Sequence, residues 1–180
     1  MARSGEPAVE RSTHQDGGGP GLIPESPGSP STSKDSDHVP LPPVVEQLLL
    51  DVVADGFTVY CCGPRAAPTA LAASYDWGDY VDQLTIWCWD RVTAARLPTP
   101  QDVFAPEVVV WAYQGPAERT LRALLTLVHP QHPNAPTGIH PAPRSLHVPR
   151  QHQRPMSIQL PPASRARARA ARLPPVREWH

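Results

Sequence analysis

The chain has few of the residues that most often carry chemistry. Cysteine occurs three times in 180 residues, and two of the three, Cys61 and Cys62, are neighbours. Adjacent Cα atoms lie ~3.8 Å apart, below the roughly 4.4–6.8 Å that a disulfide spans, so these two do not pair with each other. Cys-Cys followed by one distant Cys88 also matches no zinc spacing. There is no run of about 18 apolar residues, so a membrane-spanning helix is not expected. Met1 to Pro43 contains no apolar segment of the kind that opens a secretory signal, and a reducing, cytoplasmic location is the expectation. The glycine patterns of P-loops and dinucleotide folds are missing, as is an EF-hand loop. No cofactor and no metal are therefore expected, and the balance favours a non-catalytic protein.

Proline, by contrast, is abundant. Its 25 occurrences are unevenly placed, with eight up to Pro43, eleven from Pro130 onward and six between. Charge divides in the same way: −3 over residues 1–43, −5 over 44–129 and +7 over 130–180. Three segments follow. Residues 1–43 read as a disordered tail rich in Pro, Gly and Ser, too poor in large apolar side chains to offset their conformational entropy. Residues 44–129 read as one small α+β domain, long enough for a modest core. Residues 130–180 read as a tail rich in Pro, His and Arg and mostly irregular. An acidic domain before a basic tail points to a charged partner, or to the tail folding back on its own domain.

Within the domain the hydrophobic periods alternate between helix and strand. Val45, Leu48, Leu49, Val52 and Val53 fall at helical spacing over residues 44–54, with prolines before and Gly56 after. Phe57–Cys62 is a strand by residue type, ended by Gly63-Pro64. Residues 69–75 suit either helix or strand, and the alternation of Leu71, Ala73, Tyr75 and Trp77 favours strand. Trp77-Gly78-Asp79-Tyr80 reads as a hairpin turn. Leu84–Val92 alternates strictly at its start and is apolar on both faces. Extended to Leu97 it would run roughly 50 Å, so a bulge or bend is expected near Asp90-Arg91. Val108–Tyr113 is a continuous apolar strand, and residues 116–128 form a helix with Leu121, Leu124, Leu125 and Val128 on its buried stripe. The expected fold is α-β-β-β-β-α, a four-stranded, mostly antiparallel meander with both helices on one face.

The candidate binding residues are aromatic. Trp87 and Trp89 alternate onto the face opposite Leu84 and Ile86, Trp111 and Tyr113 lie on the last strand, and Tyr60 is a further candidate; if the strands at 84–92 and 108–113 are neighbours, the three tryptophans share one sheet face. Tryptophan and tyrosine anchor interfaces, so a protein partner or a homodimer would dock on such a face. The competing reading is a second core layer under the C-terminal segment. Arg165, Arg167, Arg169 and Arg172 lie in Ala-rich text that can become helical, with Arg165, Arg169 and Arg172 then on one face; the stretch could contact phosphate backbone or screen the acidic domain in cis, and the favoured reading is a solvated tail with no partner. The acidic domain makes nucleic acid the weaker alternative. A thiol enzyme would use Cys61 or Cys62, but nothing in the sequence places His129 beside either. His129, His132, His140, His147 and His152 lack carboxylate or thiolate partners for a metal site. Asp76, Asp79 and Asp82 around the hairpin read as turn formers before acid–base groups.

The runs Gly56–Tyr60, Ala73–Tyr75, Asp90–Arg96 and Pro106–Trp111 together resemble uncharacterised proteins of GC-rich bacteria, over about half the chain. The resemblance implies a folded domain and transfers no activity.

Overall fold

The computed structural model describes residues 41–154 and 156–173. The tail expected over 1–43 lies outside these residues as far as residue 40, and so does the end of the C-terminal tail from residue 174.

Helix α1 (Pro43–Ala54) begins on Pro42-Pro43, where a missing N–H is tolerated, and buries Val45, Leu48 and Val52. Gly56 stops it in a left-handed conformation (φ 95°) that turns the chain into β1 (Thr58–Cys62). Strand β2 (Ala70–Asp76), the segment with two readings, pairs antiparallel with β1. The turn at Trp77-Gly78-Asp79 then leads into β3 (Tyr80–Cys88).

The long strand expected from residue 83 to 97 is two strands. Chain direction reverses at Trp89-Asp90, and β4 (Arg91–Pro98) returns alongside β3, with Leu84 opposite Ala94 and Asp82 opposite Arg96. The register slips by one residue between Ile86 and Cys88, so the irregularity expected near Asp90 is a full hairpin preceded by a bulge at Trp87. Folding the segment in half lets both apolar halves reach the same core, which a 50 Å strand would overshoot.

The apolar run at 108–113 is also divided. Val108–Val109 forms β5, Val110 donates to the Arg96 carbonyl, and Trp111–Gly115 forms β6 beside β4. Helix α2 (Ala117–Leu125) follows directly. The later chain supplies β7 (His140–Pro141), paired with β5, a 3-10 turn at Arg144–Leu146, and α3 (Arg150–Gln153). Strand β8 (Met156–Gln159) adds to the free edge of β1, and α4 (Ala168–Arg172) closes the described chain. The main sheet therefore has six antiparallel strands in the order β6-β4-β3-β2-β1-β8, where the meander accounts for only part, and the fold class is α+β.

Alternation assigns the two sheet faces. Leu84, Ile86, Val92, Ala94, Ala73 and Tyr75 point to the side where α1 and α2 pack, and with Phe57, Leu121 and Leu124 they make the main core. Ala70, Ala72, Ala95 and Leu97 point to the other side. Two satellite clusters cover them there, one using Val148 and Phe104 and the other Val109 and Leu146. The second face is thus roofed by residues 103–109 and 142–148. Gln101 holds that roof: its amide donates to the carbonyls of Pro98 and Val108 and accepts from the N–H groups of Glu107 and Val108. No helix among the described residues is long and apolar enough to cross a membrane.

Candidate binding site

The four aromatic candidates are split between the two sides. Trp87 points to the roofed face, where its indole N–H donates to the Ser145 carbonyl at 2.7 Å and Arg91 lies 5.4 Å over its ring. Its neighbour Thr93 continues the polar contact, donating to Ser145, whose hydroxyl donates to Gln114. Trp89 sits in the β3–β4 turn and packs, half-buried, against the main core on the helix side. Trp111 and Tyr113 also face the helix side, as register opposite Arg96 and Ala94 requires. They flank a shallow depression against the end of α2 and residues 134–136, and Tyr113 is 36% exposed. Tyr60 packs on the roofed face against Phe104. Because β4 lies between β3 and β6, Trp87 and Trp111 are neither neighbours nor on one face.

A different aromatic group lines a cleft of about 440 Å³ at the β2–β3 end of the sheet. Its aromatic lining is Tyr75, Trp77, Tyr80 and His129, and Asp76, Asp79 and Arg167 line it as well. The rings are in contact: Tyr75 and Trp77 have centroids 4.8 Å apart, and the His129 ring meets Trp77 edge-on at 4.7 Å. Asp76 accepts from the N–H of Gly78, and Thr99 bonds the Gly78 carbonyl, which fixes the turn that carries Trp77 and Asp79. Burial pushes the His129 imidazole below its ordinary value. Arg96 pushes the same way, against the pull of Asp82. Its Nδ1 accepts from the Gln131 N–H, so the neutral ring carries its proton on Nε2. Such a ring offers a donor and a flat surface, not a base.

Beneath Trp77 lies a buried charge cluster. The Trp77 indole N–H donates to Asp82 at 2.9 Å, and Asp82 is fully buried between two guanidiniums. Arg96 binds it bidentately at 2.6 and 2.9 Å and uses a third N–H on the Val128 carbonyl. Arg169, from α4, is also fully buried: it donates to Asp82, to Asp55 and to the Leu124 carbonyl. Arg172 closes on Asp55 with two further bonds, which raises its affinity for its proton, and it reaches the Leu125 carbonyl. Three guanidiniums thus face two carboxylates and the carbonyl end of α2, whose partial negative charge supplies the balance.

The remaining candidates are dispersed. Burial, reinforced by Cys61, pushes the Cys62 thiol up, away from the thiolate form, and Cys88 is exposed; all three cysteines are free. His132 spends its Nδ1 on the Asn134 N–H, and His147 bonds the Pro106 carbonyl. Among the described residues no three potential ligands gather as a metal site would need. The chain matches no family model, no curated protein and no solved structure.

Sequence reasoning missed Trp77, Tyr80 and His129 as a group, read Asp82 only as one of three carboxylates around the hairpin, and did not single out Asp55 or Arg96. One signal was available: Asp82 and Arg96 are charges at positions whose alternation matches Leu84, Ile86, Val92 and Ala94. A charge in a core register needs a partner.

Proposed function

We propose that the chain is a non-catalytic binding domain and that its ligand seat is the cleft of Trp77, Tyr80 and His129. The observation that carries this reading is the cleft's lining: aromatic side chains together with two carboxylates and one arginine, and no serine, cysteine, threonine or lysine among the lining side chains. A flat group bearing N–H donors or positive charge suits these walls through ring stacking and cation–π contact, with Asp76 and Asp79 accepting its hydrogen bonds. Arg167 suits a carboxylate or carbonyl at the other end of the ligand.

The test is ligand-observed NMR with tryptophan, tryptamine and free arginine as probes. Tyr80→Ala and Asp79→Asn are each expected to weaken the best probe by about tenfold, the size of one cation–π or charged hydrogen-bond contact. Binding that ignores both variants, or no binding by any probe, would sink the reading.

The aromatic pair Trp111 and Tyr113 supports a second reading, self-association along β6. It rests on the exposure of Tyr113 on an edge strand whose outer backbone groups have no strand partner among the described residues. Sedimentation of the wild-type chain against Tyr113→Lys reads this out as a loss of dimer. Nucleic-acid binding by the arginine tail is the weaker proposal, because Arg169 and Arg172 are already spent on Asp55 and Asp82. A thiol enzyme is the weaker reading: His129 lies at the other end of the sheet, His152 comes near Cys62 only through its carbonyl on the Gly63 N–H, and burial pushes the Cys62 thiol away from the thiolate form. A reducing, cytoplasmic setting is part of the proposal and is supported by three free thiols.

A further inference from the structure

We propose that the pocket around Asp55 and Asp82 is a recognition socket for arginine-bearing peptide segments, filled in this chain by its own Arg169 and Arg172. The inference stands on the socket's geometry and not on the neighbouring cleft.

The socket is built for guanidinium. Asp82 is held in place from behind by Arg96 and Trp77, so it stays oriented whether or not Arg169 is present. The Leu124 and Leu125 carbonyls at the end of α2 complete a set of planar acceptors. The aromatic rings of Phe57 and Trp77 lie 5.3 and 5.8 Å from the Arg169 guanidinium carbon. Carboxylates, carbonyls and aromatic faces together select arginine over lysine, whose ammonium neither forks nor stacks.

What fills the socket is held mainly by those polar bonds. Helix α4 has five residues, too few to be stable alone. Its other contacts are small: the Arg169 N–H donates to the Asp55 carbonyl, the Ala170 N–H to the Tyr75 hydroxyl, and Ala170 is its one side chain packed on the core. Residues 162–167 before it are exposed. A segment with little apolar burial and charged anchors opens at a lower free energy than the sheet it rests on. When it opens, Asp82 keeps Arg96 and Asp55 loses both its partners. The socket is left one negative charge in excess, ready for an arginine pair spaced i, i+3 from any chain that carries one.

The test nicks the full-length chain at a protease site inserted between Pro162 and Ser164, then adds a fluorescent peptide of residues 163–173. The expected result is exchange of the resident fragment for the peptide, faster at high salt, with R169K/R172K peptide at least about tenfold weaker. Release of the resident fragment only at the denaturant concentration that unfolds the sheet would overturn the proposal, as would equal binding of the lysine peptide. Hydrogen exchange on the intact chain gives a reading independent of the nick. The Arg169 and Leu173 amides are expected to open sub-globally, ahead of β3. Opening only together with β3 would make α4 an integral part of the core and the socket no site at all. Loss of cleft ligands in the Tyr80 and Asp79 variants leaves these outcomes unchanged, since neither residue touches the socket.

Discussion

Asp55 occupies a position that helix electrostatics disfavours. It follows the last turn of α1, where the carbonyl end repels a carboxylate, and it is 7% exposed. Arg169 and Arg172 offset both costs. Asp82 is in a harsher position, with no exposure, and its charge is met by the two arginines beside it and the Trp77 indole N–H. Replacing Asp82 by alanine leaves the buried Arg96 guanidinium without a carboxylate and Arg169 with Asp55 alone, and is expected to cost about 3–5 kcal/mol in denaturant unfolding. Glu118→Ala is the contrast. Its partner Arg122 sits one helical turn away and both are about half exposed, so the loss should be no more than ~0.5 kcal/mol. A small effect at Asp82 would mean that water reaches the cluster. The difference between the two sites was only half legible in the sequence. Glu118 and Arg122 announce themselves at i, i+4. Asp82 and Arg96 become opposite neighbours only once the chain reverses at Trp89-Asp90, and that reversal carries none of the glycine or asparagine that usually marks a two-residue turn.

Elements were read well where period and punctuation agreed and poorly where one of them failed. The helices α1 and α2 have proline before them and clear apolar stripes, and they form close to their expected limits. The strand at 70–76 emerged from alternation although alanine favours helix, because cross-strand packing overrides propensity. Strand β8 is legible in the sequence only as a short extended piece at Met156–Leu160 laid on the domain, with no partner strand assigned. It is four residues between prolines, and its order comes from the unpaired edge of β1. Helix α4 is different: its Ala/Arg text can become helical by pattern, and its place is fixed by what the arginines find. Gly56 shows how the body prepares that place. It has φ 95°, and a Cβ there would come within 1.9 Å of the Arg165 carbonyl oxygen, a backbone atom that cannot swing aside. Gly56→Ala therefore combines left-handed strain of roughly 1–2 kcal/mol with a clash against the incoming segment. The expected outcome is selective: cleavage between residues 160 and 173 by a dilute protease rises several-fold, while the thermal midpoint of the sheet moves by only a few degrees. A variant that unfolds as a whole, with no earlier cleavage, would show that α4 and the sheet form one cooperative unit.

At the scale of the whole molecule the charge asymmetry read from the sequence is spent inside the fold. The acidic middle segment and the basic C-terminal segment meet at Asp55 and Asp82, and the aromatic cleft sits directly above their junction, sharing Trp77 with it and taking part of its wall from Ala166, Arg167 and Ala170. Ligand seat, charge cluster and C-terminal segment are thus mechanically continuous, and His129 connects them to pH. Burial and Arg96 hold its folded value below the ordinary 6.5. The unfolded chain then binds a proton at His129 before the folded chain does, so stability is at its full value above pH ~6.5 and falls as pH drops through that value toward the folded one. Protonation would also put a positive charge on the Trp77 edge, beside Arg96 and Arg169. Two measurements follow from this. The denaturant midpoint should decrease between pH 7.5 and pH 5.5, and part of that decrease should vanish in His129→Phe, which keeps a ring against Trp77 and cannot titrate. A midpoint whose slope with pH is the same in both proteins would place the proton uptake elsewhere and leave His129 a spectator of the cleft.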